Sequence, residues 1–252
     1  MPVYCISGAN RGLGLEFVRQ LSQSPENTIL ALTRSLSSDL SNLKSLSTSS
    51  SGAKIHILEC DTSSLPSIHT FAKTASTVLA PNGLKIDYLL NNAGVNIASS
   101  QSSLTLNPDD LFANVRVNVL GPAKVTEFLV NQGLLSRDVR ILNMTSGLGS
   151  LSLSSTIKPR KAMGYSVSKA GLNMLTVHQA EDLRTPEEKG GPGLVGAVVV
   201  CMDPGWVKTR MGGSGAVLEA EESISGMLKV LHGLGEGDNG KFFKYDGDEL
   251  GW

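Results

Sequence analysis

No stretch of this sequence is apolar over the ~20 residues that a membrane-spanning helix needs. Residues 1–7 lack a basic start and are too short for a secretory leader, so none is expected. An excess of one charge is missing as well. The 22 Lys and Arg offset 23 Asp and Glu to a net charge of −1, which argues against nucleic-acid binding through charge. A hydrophobic fraction of 40% argues against a disordered, solvated chain. Cysteine is scarce: Cys5, Cys60 and Cys201 lie far apart, each in or at the end of an apolar run. Such thiols suit the core of a protein in a reducing compartment and form no metal-ligand cluster. His56, His69, His178 and His232 have no spacing suited to a metal either. Repeats are absent, and 252 residues suit one large α/β domain better than two small ones. The expectation is a soluble, cytoplasmic protein in which residues 1–252 form a single domain, with no metal, nucleic acid or membrane as partner.

What is present is an alternation. Apolar runs at 3–7, 28–33, 54–60, 86–91, 139–145, 194–202 and 241–245 read as seven strands. Helical patterns lie between most of them, near 12–22, 38–47, 65–80, 108–132, 162–185 and 219–232. This order predicts a doubly wound, seven-stranded parallel sheet with helices on both faces. Continuous runs such as Val195-Gly196-Ala197-Val198-Val199-Val200 suit its buried centre. Pro122 falls inside the fourth helical pattern and should kink or split it. The serine-rich stretch 35–51 looks like a linker, but Leu36, Leu40, Leu43 and Leu46 favour a short surface helix with a flexible exit.

The most informative pair is Tyr165 and Lys169 in GYSVSKAG. On a helix they share one face, one turn apart. A phenol titrates near ~10 and is a poor proton carrier at neutrality. A neighbouring ammonium favours the phenolate and lowers that value, as alcohol–carbonyl interconversion requires. Alone, the spacing is common, so its neighbours decide.

The first apolar run ends in Ser7 and Gly8, followed by Ala9-Asn10-Arg11-Gly12-Leu13-Gly14, with Leu13, Phe17 and Leu21 at helical spacing. Strand, glycine turn and helix, in that order, are the context of a dinucleotide site. The glycines admit a pyrophosphate close to the backbone, facing the helix N-terminus. Their spacing is Gly-x-x-x-Gly-x-Gly, not Gly-x-Gly-x-x-Gly. An NAD site also expects an acid about 20 residues beyond the glycines to hold the ribose 2′-hydroxyl. Here Thr33-Arg34-Ser35 stands at the end of the second strand, with no acid until Asp39. The planar fork of Arg34 suits a 2′-phosphate, Arg11 is placed to reach the same group, and NADP is favoured over NAD.

The later strand ends carry polar clusters. In Cys60-Asp61-Thr62, Asp61 suits either an adenine amino group or a turn or helix cap. Asn91-Asn92-Ala93-Gly94 admits a cofactor against small residues, or is an asparagine-rich turn. Met144-Thr145-Ser146-Gly147 and Asp203-Pro204-Gly205-Trp206-Val207-Lys208-Thr209 close two further strands. All lie at the edge where open α/β sheets bind ligands.

Together, Ser7-Gly8-x-x-x-Gly12-x-Gly14, Asp61, Asn91-Asn92-Ala93-Gly94, Asn118, Ser146, Tyr165-x-x-x-Lys169 and Pro204-Gly205 resemble the short-chain dehydrogenase/reductase family of NAD(P)-dependent oxidoreductases nearly end to end. Gly205-Trp206-Val207-Lys208-Thr209 and the tail Gly240-Lys241-Phe242-Phe243, Asp246-Gly247 and Trp252 are similar to its sniffer and C-factor branch of small carbonyl reductases. Ser7 departs from the family's usual Thr but keeps the hydroxyl. The resemblance implies a Rossmann-type fold and a catalytic set of Asn118, Ser146, Tyr165 and Lys169. In it Tyr165 exchanges a proton with the substrate oxygen, Lys169 tunes Tyr165 and binds the nicotinamide ribose, and Ser146 holds the substrate oxygen. Asn118 would anchor a water that relays protons to Lys169. The implied NADP contacts run through Ser7, Gly8, Asn10, Arg11, Gly12, Leu13 and Gly14, then Arg34, Asp61 and Thr62. They continue through Asn92, Ala93 and Gly94 to Tyr165, Lys169, Pro204 and Gly205, with Val207 and Thr209 at the carboxamide.

The expected reaction is NADPH-dependent reduction of a ketone, aldehyde or quinone to an alcohol. The alternative is an NADP-binding sensor of the same fold with little turnover. Substrate-shaping loops are expected at 95–105, 147–162 and 210–222. Leu148, Leu151, Leu153 and Met163 suggest an apolar wall, and Gly212, Gly213 and Gly215 a mobile lid. Trp206 suits either the pocket lining or a cover on the sheet edge, and the run Lys158-Pro159-Arg160-Lys161 either a solvated loop or an anion contact. Pairing of the helices near 108–132 and 162–185 would make a homodimer or homotetramer.

Overall fold

The computed structural model describes residues 1–48, 52–158, 160 and 162–252. Its strands are β1 (Val3–Ser7), β2 (Thr28–Thr33), β3 (Lys54–Glu59), β4 (Ile86–Asn91), β5 (Leu135–Met144), β6 (Val198–Asp203) and β7 (Phe242–Lys244). They form one sheet in the order β3-β2-β1-β4-β5-β6-β7, with every neighbouring pair parallel. The helices are α1 (Gly12–Leu21), α2 (Ser41–Thr48), α3 (Leu65–Leu79), α4 (Pro108–Val115), α5 (Gly121–Asn131), α6 (Leu151–Ser154), α7 (Met163–Asp182) and α8 (Ala220–Gly233).

Period-two alternation within buried strands feeds two cores. Val3 and Cys5 of β1 face a layer containing Ile68 and Phe71 of α3, Val125 of α5 and Ala180 of α7. Tyr4 and Ile6 face the other layer, with Phe17 of α1, Leu43 of α2 and Met227 of α8. Phe17 and Phe71 are fully buried, each contributing roughly 1.5–3 kcal/mol. Both faces are covered, which is why β1 and β2 read as unbroken apolar runs. Cys5, Cys60 and Cys201 are buried free thiols in this core.

Boundaries differ from expectation where the chain turns on tertiary contacts. β5 begins at Leu135 rather than 139, because Ile86 pairs with Leu135 before a bulge shifts the register to Tyr88 against Arg140. β6 begins at Val198 rather than 194, since Ala197 N–H closes a turn onto the Leu194 carbonyl (2.9 Å). α2 starts at Ser41 because the Asp39 carboxylate accepts from Ser41 N (3.0 Å) and Oγ (2.8 Å). Its expected flexible exit at 49–51 lies outside the described residues.

Pro122 splits the fourth helical pattern as expected. Between α4 and α5 lies a single π turn, Arg116–Leu120, in which Gly121 N–H reaches the Arg116 carbonyl. A proline at 122 cannot donate to the carbonyl four residues back, that of Asn118, and its ring crowds that carbonyl. The widened turn relieves the crowding and is centred on Asn118.

Candidate active site

The sheet order reverses between β1 and β4, opening a crevice beyond their C-terminal ends. Ser7 ties its two sides: its Oγ accepts from Ala93 N (3.0 Å) and donates to the Leu90 carbonyl (3.5 Å). The expected Ser-for-Thr tolerance fits this use of the hydroxyl. Asn92 Nδ2 donates to the Ser7 carbonyl (2.8 Å), bracing the glycine turn from below. A Cβ on Gly14 would stand 2.1 Å from the Gly8 carbonyl oxygen and 2.6 Å from Asn92 Nδ2. Gly14 is therefore a packing glycine, whereas Gly12 (φ +54°) faces open space with only Thr209 Cγ2 at 3.9 Å. Arg11 is extended and adds no side-chain cap to the N-terminus of α1.

At one end of the crevice, Asn10, Arg11, Arg34, Ser38, Asp39, Ser41 and Asn42 line a cavity of about 310 Å³. Arg11 and Arg34 have no ion pair among the described residues. Burial, then Arg210 and Arg34 nearby, pull the Arg11 pKa below its usual value. Arg210, from the loop after β6, therefore adds its positive charge to that around Arg11, and sequence reading missed it. Asp39 lines the same cavity, yet its Oδ1 is occupied by Ser41. Asp61 is a turn residue, with Oδ1 accepting from Ser63 N (2.9 Å) and Oγ (2.7 Å). Neighbouring Thr62 is buried against Gly121, whose Cβ would stand 3.0 Å from the Thr62 carbonyl oxygen.

At the other end, Tyr165 and Lys169 lie on α7 as expected. Lys169 is buried, its Nζ donates to the Met144 carbonyl (2.6 Å) and stands 5.5 Å from the centre of the Tyr165 ring. Ser146 Oγ accepts from Leu148 N (3.2 Å) and so caps a turn, and its hydroxyl favours the ionised form of Tyr165. The expected electrostatics need correction. Burial, then the Asp203 carboxylate, push the Tyr165 phenol up, and only the Ser146 hydrogen bond pulls it down. Burial pushes Lys169 down to about 7. Lys169 is packed between α7 and the sheet, where desolvation outweighs attraction, while Tyr165 is half-buried beside it.

The Asn118 side chain is fully engaged. Both Nδ2 donors are used, to the Val95 carbonyl (2.8 Å) and Ser168 Oγ (2.9 Å), while Oδ1 accepts from Val95 N (2.9 Å). Its side chain is a clip between the loop after β4 and α7, so its amide has no N–H to spare for a water. Asn114, missed in the sequence, repeats the clip one turn earlier on Ile97 (3.1 and 3.2 Å). The i, i+4 asparagine pair was the available signal. A Cβ on Gly94 would stand 3.4 Å from Asn118 Oδ1 and 3.6 Å from Lys169 Nζ, so this glycine keeps the lane between them clear.

The sheet-facing side of α7 is polar. Asn143 Nδ2 donates to Thr176 Oγ1 and Gln179 Oε1 (both 3.0 Å), and Thr145 Oγ1 donates to Asn173 Oδ1 (2.6 Å). With Lys169, these groups key the helix to β5 in one register and thereby set where Tyr165 stands.

Of the leucines after β5, Leu153 Cδ1 lies 3.8 Å from the Cβ position of Gly147, next to Ser146. Leu151 is 77% exposed. Trp206 packs into the glycine loop that follows it. Its Nε1 donates to the Gly212 carbonyl (2.8 Å), and a Cβ on Gly215 would strike its ring at 2.6 Å. The glycine loop thus wraps the indole. Its neck is tied by the Val207–Leu218 bridge, with Lys208 N–H donating to the Leu218 carbonyl (2.9 Å). Thr209 Oγ1 accepts from Gly212 N (3.2 Å), Val207 is buried, and Gly205 (φ +77°) follows Pro204, whose carbonyl accepts from Ser223. Arg160 donates to the Ser154 and Ser155 carbonyls, while Pro159 and Lys161 of the basic run lie outside the described residues.

A family profile described as short chain dehydrogenase matches residues 2–216. C-signal of Myxococcus xanthus is 38% identical over 170 residues, covering 66% of this chain and 93% of its own. An uncharacterised oxidoreductase of Schizosaccharomyces pombe is 31% identical over 268 residues, covering 98% and 96%. Among solved structures, the NADPH-bound carbonyl reductase from chicken fatty liver superposes with a TM-score of 0.85 at 27% identity, covering 100% of both chains. The carbonyl reductase Sniffer of Drosophila melanogaster gives 0.82 at 26%, again covering 100% of both. The profile match and the full-length relative agree with the sheet order and crevice: the chain belongs to the short-chain dehydrogenase family.

Proposed function

We propose that this protein is an NADPH-dependent reductase that converts a ketone, aldehyde or quinone to an alcohol. The observation that carries the reading is one crevice with a guanidinium-lined cavity at one end and Tyr165, Ser146 and Lys169 at the other. The residues fit the cofactor: Gly12 and Gly94 leave room where side chains would stand, and Arg11 and Arg34 offer unpaired charge to a 2′-phosphate. NADPH, the ligand of the chicken neighbour, would supply the hydride that reduces the carbonyl carbon.

The chain's own groups do the rest. Tyr165 gives its hydroxyl proton to the carbonyl oxygen, and its raised pKa keeps that proton available across neutral pH. Ser146 holds the same oxygen as negative charge builds there. Lys169, poised near 7, replaces the proton on Tyr165 and orients the ribose. Ser7, Gly8, Asn10, Leu13, Asn92 and Ala93 shape the floor under the pyrophosphate, with Asp61 and Thr62 beside the adenine. Pro204, Gly205, Val207 and Thr209 close over the nicotinamide. Residues 1–252 act as one domain, and the cytoplasm is its proposed compartment. Exposed Phe112, Leu120, Val167, Met174 and Val177 on the α4–α5 segment and α7 suit pairing with a second copy.

The second reading, an NADP-binding signalling protein with little turnover, is favoured by the likeness to C-signal. Cofactor oxidation with a carbonyl panel separates the two. The enzyme reading expects NADPH consumption that Tyr165→Phe abolishes while cofactor affinity is largely kept. Tight NADPH binding without turnover on any aldehyde, ketone or quinone would favour the sensor.

A further inference from the structure

No group from Tyr245 to Trp252 takes part in the proposed reduction, yet the far end of this tail rests on the segment that carries Ser146. Asp246 and Gly247 turn the chain back after β7. Gly247 takes φ +99°, its N–H donates to the Lys244 carbonyl (3.0 Å), and Lys244 N–H donates to that of Asp248 (2.8 Å). The returning chain bridges Glu249 to Phe243, Leu250 N–H donates to the Phe242 carbonyl (2.8 Å), and Lys241 Nζ stands 3.5 Å from Glu249 Oε2. The tail so covers β7, the edge strand, and brings the Trp252 indole against the buried Phe242 ring at 5.5 Å.

There the tail meets the loop after β5. Ser150 is fully buried, and its Oγ donates to the Gly251 carbonyl (2.6 Å) while accepting from Leu153 N (3.1 Å) in α6. Ser152 N–H donates to the Trp252 carbonyl (3.0 Å), and a Cβ on Gly251 would stand 2.8 Å from Ser152 Oγ. Ser146 and Ser150 flank one tight turn, Gly147–Gly149. Gly149 N–H donates to the Ser146 carbonyl (2.8 Å), Ser150 N–H to that of Gly147 (3.1 Å), and Leu148 N–H to Ser146 Oγ (3.2 Å). Because that oxygen accepts from the turn, the Ser146 hydroxyl keeps its own proton to donate. Helix α7 supports the turn at Gly149, whose carbonyl accepts from Asn173 Nδ2 (3.2 Å) and whose Cβ would stand 2.8 Å from Lys169 Cβ. The tail supports it at Ser150.

We propose that Ser150 and Trp252 are positioning residues for the reaction: the tail braces the turn at Gly147–Gly149 and so fixes where Ser146 presents its hydroxyl. A single turn of this length is too short to hold itself in one place, so its two supports decide its position. Trp252 anchors the tail on β7 through its ring and carries Ser152 through its carbonyl, and Ser150 passes that hold to the turn. A displacement of about 1 Å at a reacting group can lower a rate up to roughly a hundredfold. None of the residues lining the cavity beside Arg11 and Arg34 belongs to the tail or to 146–154, so loosening the brace should spare cofactor binding. The inference rests on the reductase reading for its kinetic consequence only.

The test compares the wild type with Trp252→Ala, Ser150→Ala and Trp252→Phe. Backbone hydrogen exchange over 147–153 should be at least about tenfold faster in both alanine variants, with β1 and α1 unchanged. With NADPH and a carbonyl compound that the wild type reduces, the same two variants should lose roughly tenfold or more in kcat, while the NADPH Kd stays at the wild-type value. Trp252→Phe, which keeps an aromatic ring against Phe242, should restore both exchange protection and kcat. Unchanged exchange at 147–153 in the alanine variants would overturn the brace. Faster exchange with wild-type kcat, or a matching loss of NADPH affinity, would overturn the positioning of Ser146. Faster exchange in the variants of a protein whose wild type reduces no carbonyl would keep the brace and sink the reductase reading instead.

Discussion

Asn118 grips the main chain of Val95 at both its N–H and its carbonyl, with Oδ1 accepting at 2.9 Å and Nδ2 donating at 2.8 Å. Its remaining N–H reaches Ser168 on α7. One side chain thereby joins the crevice wall, the π turn and the helix that carries Tyr165. Replacing it with Leu strands several buried polar groups at about 1–3 kcal/mol each. Asn118→Leu should lower Tm by several degrees and reduce NADPH affinity. An unchanged melting curve would show that the clip contributes nothing to stability.

Two of the crevice glycines, Gly14 and Gly94, should behave differently on substitution. Gly14→Ala drives a Cβ into the Gly8 carbonyl at 2.1 Å, so the first turn must move and stability should fall. Gly94→Ala meets ordinary contacts at 3.4 and 3.6 Å, so Tm should hold while cofactor Kd rises. Thermal melts and NADPH titrations on the two variants check this, and matching losses of stability would refute the division.

Charge at the adenosine end should set cofactor choice. Arg34→Asp should weaken NADPH binding by at least tenfold and NADH binding little, because only NADPH carries the 2′-phosphate. Arg210→Ala should act in the same direction through the shared guanidinium cluster. Equal losses for both cofactors would remove the 2′-phosphate from the account.

Burial of Lys169 should be visible in the pH dependence of stability. Between about 7 and its ordinary 10.5, the lysine binds fewer protons in the folded chain than in the unfolded one. Stability then rises with pH across that window, with the penalty greatest below it. Tm of the wild type should climb from pH 6.5 to 9.5 relative to Lys169→Met. Parallel curves for the two proteins would contradict the depressed value.

Much of the fold was legible because its signals are local. Apolar runs and helical periodicity placed β1, β2, β4 and α3 within a residue, and Pro122 announced the break that became the π turn. The starts of β5 and β6 were misjudged, since a bulge against Ile86 and a turn closed by Leu194 are partner-dependent.

For the candidate site, spacing and strand ends were enough to select Tyr165, Lys169, Ser146, the glycine turn and Arg34, because each motif lies within a few residues of chain. Tertiary structure alone decided what those groups meet. It packed Lys169 against Met144, used the Asn118 side chain as a clip, set Asp203 beside Gly147 and swung Arg210 toward Arg11. These contacts join residues 23 or more positions apart, and their strength depends on the water excluded around them. Exclusion of water is a property of the packed molecule, so the direction in which Tyr165 and Lys169 titrate emerges only when helix and sheet close over them.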